Sequence, residues 1–422
     1  MDIIHVQGGG PLYGEVKIQG SKNAVLPILA ATVLIDGCCY IRNCPHISDV
    51  ECMCSLLQDM GCLVCWKTDG VEIDASQIKE KILPKDRVVC MRSSIMLLAP
   101  LLARCGEAVL DYPGGCVIGE RPVDMHLQVL QCMGVEFDQK EEYIRGRVAE
   151  LQGARVSLPF PSVGATENGI LAAVLANGIT TLCNCAKEPE IRELCYFLNC
   201  AGARIEGIGT DCLKIRGVDK LHPVSYRVCP DRIVAGTYLF SVVAATGRAF
   251  FYDVPRNDMG SAIAIAGMMG CRMHFYKEGM EVFQSDRPKA VSGIKTAVYP
   301  GFPTDLQSVL MTALALSRGE GMIEETIFSD RFHVAKELVR MGADITIDGK
   351  CAFIKGMHRL YGTSVFAEDL RGGAALVLAG ICAEGDSTIG NIHFIERGYE
   401  DICRDYSLLG AYVRKTGRNW FG

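Results

Sequence analysis

Apolar and polar positions alternate along this chain in short runs, set between longer stretches in which Ala, Leu and Val occupy every face. Runs such as Leu213-Lys214-Ile215-Arg216 predict half-buried strands, and stretches such as Ala24–Ile35 predict buried helices. Glycines punctuate this pattern. One series follows an apolar helical stretch at Gly61, Gly134, Gly202, Gly270, Gly342 and Gly410; another closes a second apolar helix at Gly37, Gly106, Gly178, Gly247, Gly319 and Gly385. Neighbours within each series stand 66 to 73 residues apart, so two independent markers share one period. Glycine fits both places because it enters the left-handed conformation that ends a helix without a Cβ clash.

Between the markers, six units read alike. A short strand (Glu15–Ile18, Arg87–Cys90, Arg155–Leu158, Tyr226–Val228, Lys295–Val298, Ser364–Phe366) leads into an Ala/Leu/Val-rich helix. Another strand, a loop, a second helix and two closing strands follow, giving βαβαββ and an α/β fold class. The sixth unit ends poorly, in Arg418-Asn419-Trp420-Phe421-Gly422, whereas Ile4-His5-Val6-Gln7-Gly8 resembles a closing strand. The N-terminus is therefore expected to complete the last unit. Two domains of three units each result, residues 22–229 and residues 1–21 with 230–422, with a crossover around Val218–Ser225, which contains Pro223.

Composition narrows the function classes. The 43 basic and 49 acidic residues leave a net charge of −6, which argues against a nucleic-acid or anionic-membrane surface. No apolar run reaches the roughly 20 residues that span a bilayer, and the N-terminus lacks a basic then apolar leader, so a cytoplasmic location is expected. The 21 cysteines fall in apolar segments (Cys52, Cys54, Cys132, Cys195, Cys382), where most are expected to fill the core as reduced thiols. Cys62 and Cys65 have C-x-x-C spacing but lie in a strand and lack a second pair, so no metal site is expected.

Candidate chemistry gathers in equivalent turns. The first strand-to-helix turn carries Ser21-Lys22-Asn23, Arg92-Ser93-Ser94, Ser162-Val163-Gly164, Asp231-Arg232, Thr304-Asp305 and Asp369-Leu370-Arg371. Ser, Thr and Asp are ordinary N-caps there. Lys22, Arg92 and Arg371 are not, because a cation opposes the helix dipole at a cost of roughly 0.3–1 kcal/mol and calls for an anion. Gly20-Ser21-Lys22 has the wrong order for a nucleotide triphosphate loop. In the second unit a long loop, Asp111 to Asp124, sets Cys116 among glycines close to Arg121, which suits a mobile lid with an accessible thiol. The equivalent loops of units five and six supply Arg331 and Arg397.

These segments carry a resemblance that runs end to end. Gly20-Ser21-Lys22-Asn23-Ala24, Met91-Arg92-Ser93-Ser94-Ile95, Pro113-Gly114-Gly115-Cys116, Arg121-Pro122-Val123-Asp124, Ser162-Val163-Gly164-Ala165-Thr166, Phe302-Pro303-Thr304-Asp305, Asp369-Leu370-Arg371 and Arg397-Gly398-Tyr399-Glu400 resemble the UDP-N-acetylglucosamine 1-carboxyvinyltransferase family of enolpyruvyl transferases. The resemblance implies two domains of three βαβαββ units that close on substrate, and transfer of the enolpyruvyl group of phosphoenolpyruvate to the 3-hydroxyl of UDP-N-acetylglucosamine. It implies no metal or organic cofactor. By it, Cys116 donates a proton and forms an adduct with phosphoenolpyruvate, and Asp305 contacts the 3-hydroxyl as base. Lys22, Arg121 and Arg397 hold the phosphate; Arg331 and Arg371 hold the carboxylate. Asn23, Arg92, Pro122, Val123, Asp124, Met125, Ser162, Val163 and Ile327 hold the UDP-sugar, and Asp369 orients the reacting groups.

Two positions depart from the family pattern. Phe160-Pro161 stands where many members carry a basic residue, and Glu120 replaces a small residue beside Arg121. The alternatives are enolpyruvyl transfer to shikimate 3-phosphate, against which the Pro-Gly-Gly-Cys segment argues, and a catalytically weak UDP-sugar-binding paralogue.

Overall fold

The computed structural model describes residues 2–114 and 123–417; Gly115, Cys116, Glu120, Arg121 and Pro122 lie outside the described residues. All twelve marker glycines adopt positive φ, from 71° at Gly106 to 134° at Gly37. The repeat read from their spacing is thus a repeat of backbone conformation.

The chain forms two compact bodies. Among the described residues, the first comprises 2–19 and 230–417, and the second comprises 20–114 and 123–229. Each has its own hydrophobic core. In the first body three almost wholly buried helices, Arg232–Ala245, Gln307–Ala315 and Leu370–Cys382, pack on one another. Helices apolar on every side are stable only when surrounded, and three four-stranded sheets belong to this body. The second body repeats the plan around Lys22–Ala31, Leu98–Cys105 and Val163–Ala173.

Within a complete sheet the first strand runs parallel to its neighbour and the closing strands run antiparallel, as for Arg155–Ser157 beside Ile179–Cys183 and Cys212–Arg216. The N-terminal strand Ile3–Gln7 lies between Asp386–Gly390 and Tyr412–Thr416, the closing-strand place of the sixth unit, as the sequence predicts.

Three expectations need correction. Strands Leu12–Lys17 and Ser225–Arg227 exchange sheets: the first pairs with Gly247–Tyr252 of unit four, the second with Cys38–Arg42 of unit one. Each still leads into the helix predicted to follow it, so the local pattern was read correctly and the non-local partner was not. The crossover accordingly comes at Cys229–Pro230, after Ser225–Arg227 has joined the second body. Arg87–Cys90 is not a strand. Lys85–Val88 forms a helical turn after Pro84, with Val88 the buried residue of the turn. The strand place is taken by a single parallel bridge from Ile82 to Val109, and Pro84, which has no N–H to give, follows it closely. Unit two therefore has a three-stranded sheet.

The cysteines divide more evenly than expected. Cys54 and Cys195 are buried, Cys52 and Cys382 are partly buried, and Cys132 is exposed.

Candidate functional site

In the first body the site is built at the N-terminal ends of two buried helices. Asp305 sits in the 3-10 turn Thr304–Leu306 that precedes Gln307–Ala315. Its Oδ1 accepts from Arg331 Nη2 at 2.7 Å and its Oδ2 from Arg371 Nη2 at 3.0 Å. Both arginine side chains are only 4% exposed, whereas that of Asp305 is 25% exposed. Two buried cations thus share one carboxylate. Arg331 Nε and Arg371 Nη1 are buried and without a hydrogen-bond partner among the described residues. Burial would lower the Arg371 pKa, but Asp305, Tyr399 and Asp231 together hold it above the usual arginine value.

Packing fixes these guanidiniums. Arg331 lies over the Phe328 ring at 5.4 Å and Arg371 over Tyr399 at 6.0 Å. The Tyr399 hydroxyl is 2.8 Å from that of Thr237 on the neighbouring buried helix. Asp369 is an N-cap: its Oδ1 accepts from the Arg371 and Gly372 N–H groups at 2.8 and 3.0 Å, so it sets the start of the helix that carries Arg371. Asp231 caps Arg232–Ala245 in the same way. Arg397 is half-buried at the end of the 3-10 segment Ile392–Arg397.

The second body carries a different pairing. Lys22, the first residue of its helix, has Nζ 2.8 Å from Asp49 Oδ2, with side chains 11% and 7% exposed. The anion that the sequence demanded near Lys22 and Arg371 is therefore supplied internally, by Asp49 and Asp305. Asp49 was missed because its only local signal is that of an acidic residue in a first helical turn. Asn23 is half-buried beside Lys22, and Arg92 Nη1 reaches the Pro113 carbonyl at 3.5 Å.

Ser162 caps Val163–Ala173, its Oγ accepting from the Ala165 N–H at 3.3 Å. Val123 is buried, Met125 half-buried and Asp124 exposed at the start of Asp124–Cys132. His126 brings that start against the Ser162 turn, where a Cβ on Gly164 would meet its ring at 2.7 Å. Asn168 Oδ1 accepts from the Ala99 N–H, so its Nδ2 faces His126 Nδ1 at 2.8 Å and sets that ring nitrogen as the acceptor. Deeper on the same helix, burial first, then Glu190 and Glu188, push the Glu167 carboxyl well above the usual range. Phe160, at the departure from the family pattern, is exposed.

The structure thus joins Asp305, Arg331 and Arg371 directly and Asp369 through its cap, and sets the Val123–Met125 segment beside Ser162 and Val163. Among the described residues no group of three or more His, Cys, Asp or Glu side chains is arranged to hold a metal ion.

Residues 6–405 match the EPSP synthase (3-phosphoshikimate 1-carboxyvinyltransferase) family. The chain is 44% identical over 408 residues to UDP-N-acetylglucosamine 1-carboxyvinyltransferase 2 of Caldanaerobacter subterraneus subsp. tengcongensis, covering 97% of this chain and 98% of that one. It is 42% identical over 416 residues to UDP-N-acetylglucosamine 1-carboxyvinyltransferase of Oleidesulfovibrio alaskensis, covering 99% and 100%. In fold it is similar to the enolpyruvyl transferase NikO from Streptomyces tendae, with a TM-score of 0.90 at 24% identity over 98% of this chain and 99% of that one. EPSP synthase from Acinetobacter baumannii gives 0.77 at 17% identity over 99% and 100%. By fold and by near-full-length identity, the chain belongs to the UDP-N-acetylglucosamine 1-carboxyvinyltransferase family of enolpyruvyl transferases.

Proposed function

We propose that this chain transfers the enolpyruvyl group of phosphoenolpyruvate to the 3-hydroxyl of UDP-N-acetylglucosamine and releases phosphate, the first committed step of peptidoglycan precursor synthesis. The observation that carries the reading is the pair of buried arginines sharing Asp305, each with an N–H unspent on the described residues. A planar carboxylate is the ligand such donors suit, and phosphoenolpyruvate brings one. Names of the near-full-length relatives supply the acceptor.

In the reaction the acceptor oxygen bonds to C2 of phosphoenolpyruvate while C3 gains a proton. Loss of that proton and of phosphate then restores the double bond. Asp305 takes the hydroxyl proton, and Cys116 gives the proton to C3. Lys22, Arg121 and Arg397 hold the phosphate, and Arg331 and Arg371 the carboxylate. Asn23, Arg92, Pro122 to Met125, Ser162, Val163 and Ile327 hold the UDP-sugar. The enzyme works in the cytoplasm; no helix among the described residues is long and apolar enough to cross a membrane.

Phosphate release from phosphoenolpyruvate tests this directly. Release is expected with UDP-N-acetylglucosamine and not with shikimate 3-phosphate; the opposite pattern would overturn the assignment, and no release with either would leave a binding role.

A further inference from the structure

Glu325, which the sequence did not single out, is 1% exposed and immediately follows the strand Glu320–Glu324. Its carboxylate accepts four hydrogen bonds. Oε1 receives the Thr296 hydroxyl at 2.8 Å and the N–H groups of Ile327 and Phe328 at 2.8 and 3.2 Å. Oε2 receives the Thr304 hydroxyl at 2.8 Å. Three of the four bonds converge on Oε1 and one on Oε2.

The four donors belong to three segments that sequence alone does not bring together. Ile327 and Phe328 open the loop that leads to Arg331, whose guanidinium lies over the Phe328 ring. Thr304 immediately precedes Asp305 in its 3-10 turn. Thr296 ties the frame to a third segment, since its Oγ also accepts from the Thr326 N–H at 2.9 Å and its carbonyl accepts from the Thr326 hydroxyl at 2.6 Å. One buried side chain therefore fixes the Ile327 backbone, the turn that presents Asp305, and the ring under Arg331.

We infer that Glu325 is a positioning residue for the transfer reaction, holding the Asp305 turn and the Ile327 backbone in register with each other for the acceptor. This rests on the proposed function, in which Ile327 meets the UDP-sugar and Asp305 its reacting hydroxyl. The geometry separates its two arms. Oε2 alone serves the Asp305 side, through Thr304, and Oε1 serves the Ile327 side.

Steady-state phosphate release by the full chain, below the melting temperature of each variant, reads the two arms apart. Glu325→Ala is expected to lower kcat and to raise the KM for UDP-N-acetylglucosamine, each by about tenfold, as loss of buried hydrogen bonds predicts. Thr304→Val cuts the Asp305 arm only, so kcat should fall by roughly five- to tenfold with the acceptor KM within about twofold of the parent. Glu325→Gln can keep three bonds at its oxygen and donate to a turned Thr304 hydroxyl, so it should restore most of both parameters. A Glu325→Ala protein that melts earlier yet keeps parental kcat and KM would overturn the inference, as would equal loss in the Ala and Gln variants. If the parent turns over shikimate 3-phosphate instead, the acceptor assignment fails and the same split, read with that acceptor, decides the role of Glu325. A parent that turns over neither overturns both.

Discussion

In the first body one carboxylate, Asp305, serves two buried arginines; in the second, Asp49 serves one buried lysine. Within these contacts two cations meet one carboxylate in the first body, and one cation meets one carboxylate in the second. Crowding of like charge is also reversed. Tyr399 and Phe328 faces, with Asp231 nearby, accommodate the guanidiniums of the first body, whereas three glutamates, Glu167, Glu188 and Glu190, interact in the second. Equivalent turns of one repeat have thus acquired different electrostatic surroundings, one in which a carboxylate is shared between two cations and one in which a carboxylate meets a single lysine.

The sharpest way to break this comparison is to remove each carboxylate. Asp305→Ala removes the carboxylate shared by two buried cations and should cost about 5 kcal/mol of stability, against about 3 kcal/mol for Asp49→Ala, by chemical denaturation. As the proposed base, Asp305 should also account for a fall in kcat of about 10²–10⁴-fold. Equal stability losses would mean that Asp305 is not shared in solution. A smaller effect is expected from Arg371→Lys, which keeps charge but loses the planar fork: the KM for phosphoenolpyruvate should rise about 10–100-fold, and an unchanged KM would remove Arg371 from the carboxylate site.

The smallest effect sharpens the acidic side. Glu167 keeps its proton in the folded state above the pH at which the unfolded chain releases it. Its contribution to stability is therefore fully present below the ordinary glutamate pKa and is lost as pH rises through the higher folded value. Glu167→Gln does not titrate, so its urea midpoint should gain on the parent between about pH 5 and pH 8. A difference that stays constant across that range would show that Glu167 is not held protonated.

Much of the fold was legible because its signals are local. Helix-ending glycines report backbone conformation directly, and Ile4-His5-Val6-Gln7 carried the alternation of a closing strand. What escaped is decided between distant segments. Leu12–Lys17 and Ser225–Arg227 both precede buried helices, and nothing in either pattern names its partner sheet. The site divides along the same line. Lys22, Arg331 and Arg371 stood out as cations near helix starts and loops, but Asp49 and Glu325 look ordinary in sequence and acquire meaning only through partners 27 and 21 residues away, Lys22 and Thr304. Arg87–Cys90 failed for a different reason: by symmetry with other units it should have been a strand, but Pro84 and the Lys85-Asp86-Arg87-Val88 turn that follows it favour a helical start.

The placement of the N-terminal strands has a consequence for how the protein is made. Ile3–Gln7 and Leu12–Lys17 leave the ribosome well ahead of their partners, Gly247–Tyr252, Asp386–Gly390 and Tyr412–Thr416. At about 5–20 residues per second, the first of these strands waits roughly 20–80 s for its last neighbour to be synthesised. Leu12 and Val16 have no native sheet to enter until Gly247–Tyr252 follows, and Ile4 and Val6 wait longer, for Asp386–Gly390 and Tyr412–Thr416; all four are buried in the finished protein. The second body, lying wholly between residues 20 and 229, is complete long before. Translation therefore completes the second body while the first is unfinished, and the early strands are where a growing chain most needs protection from aggregation.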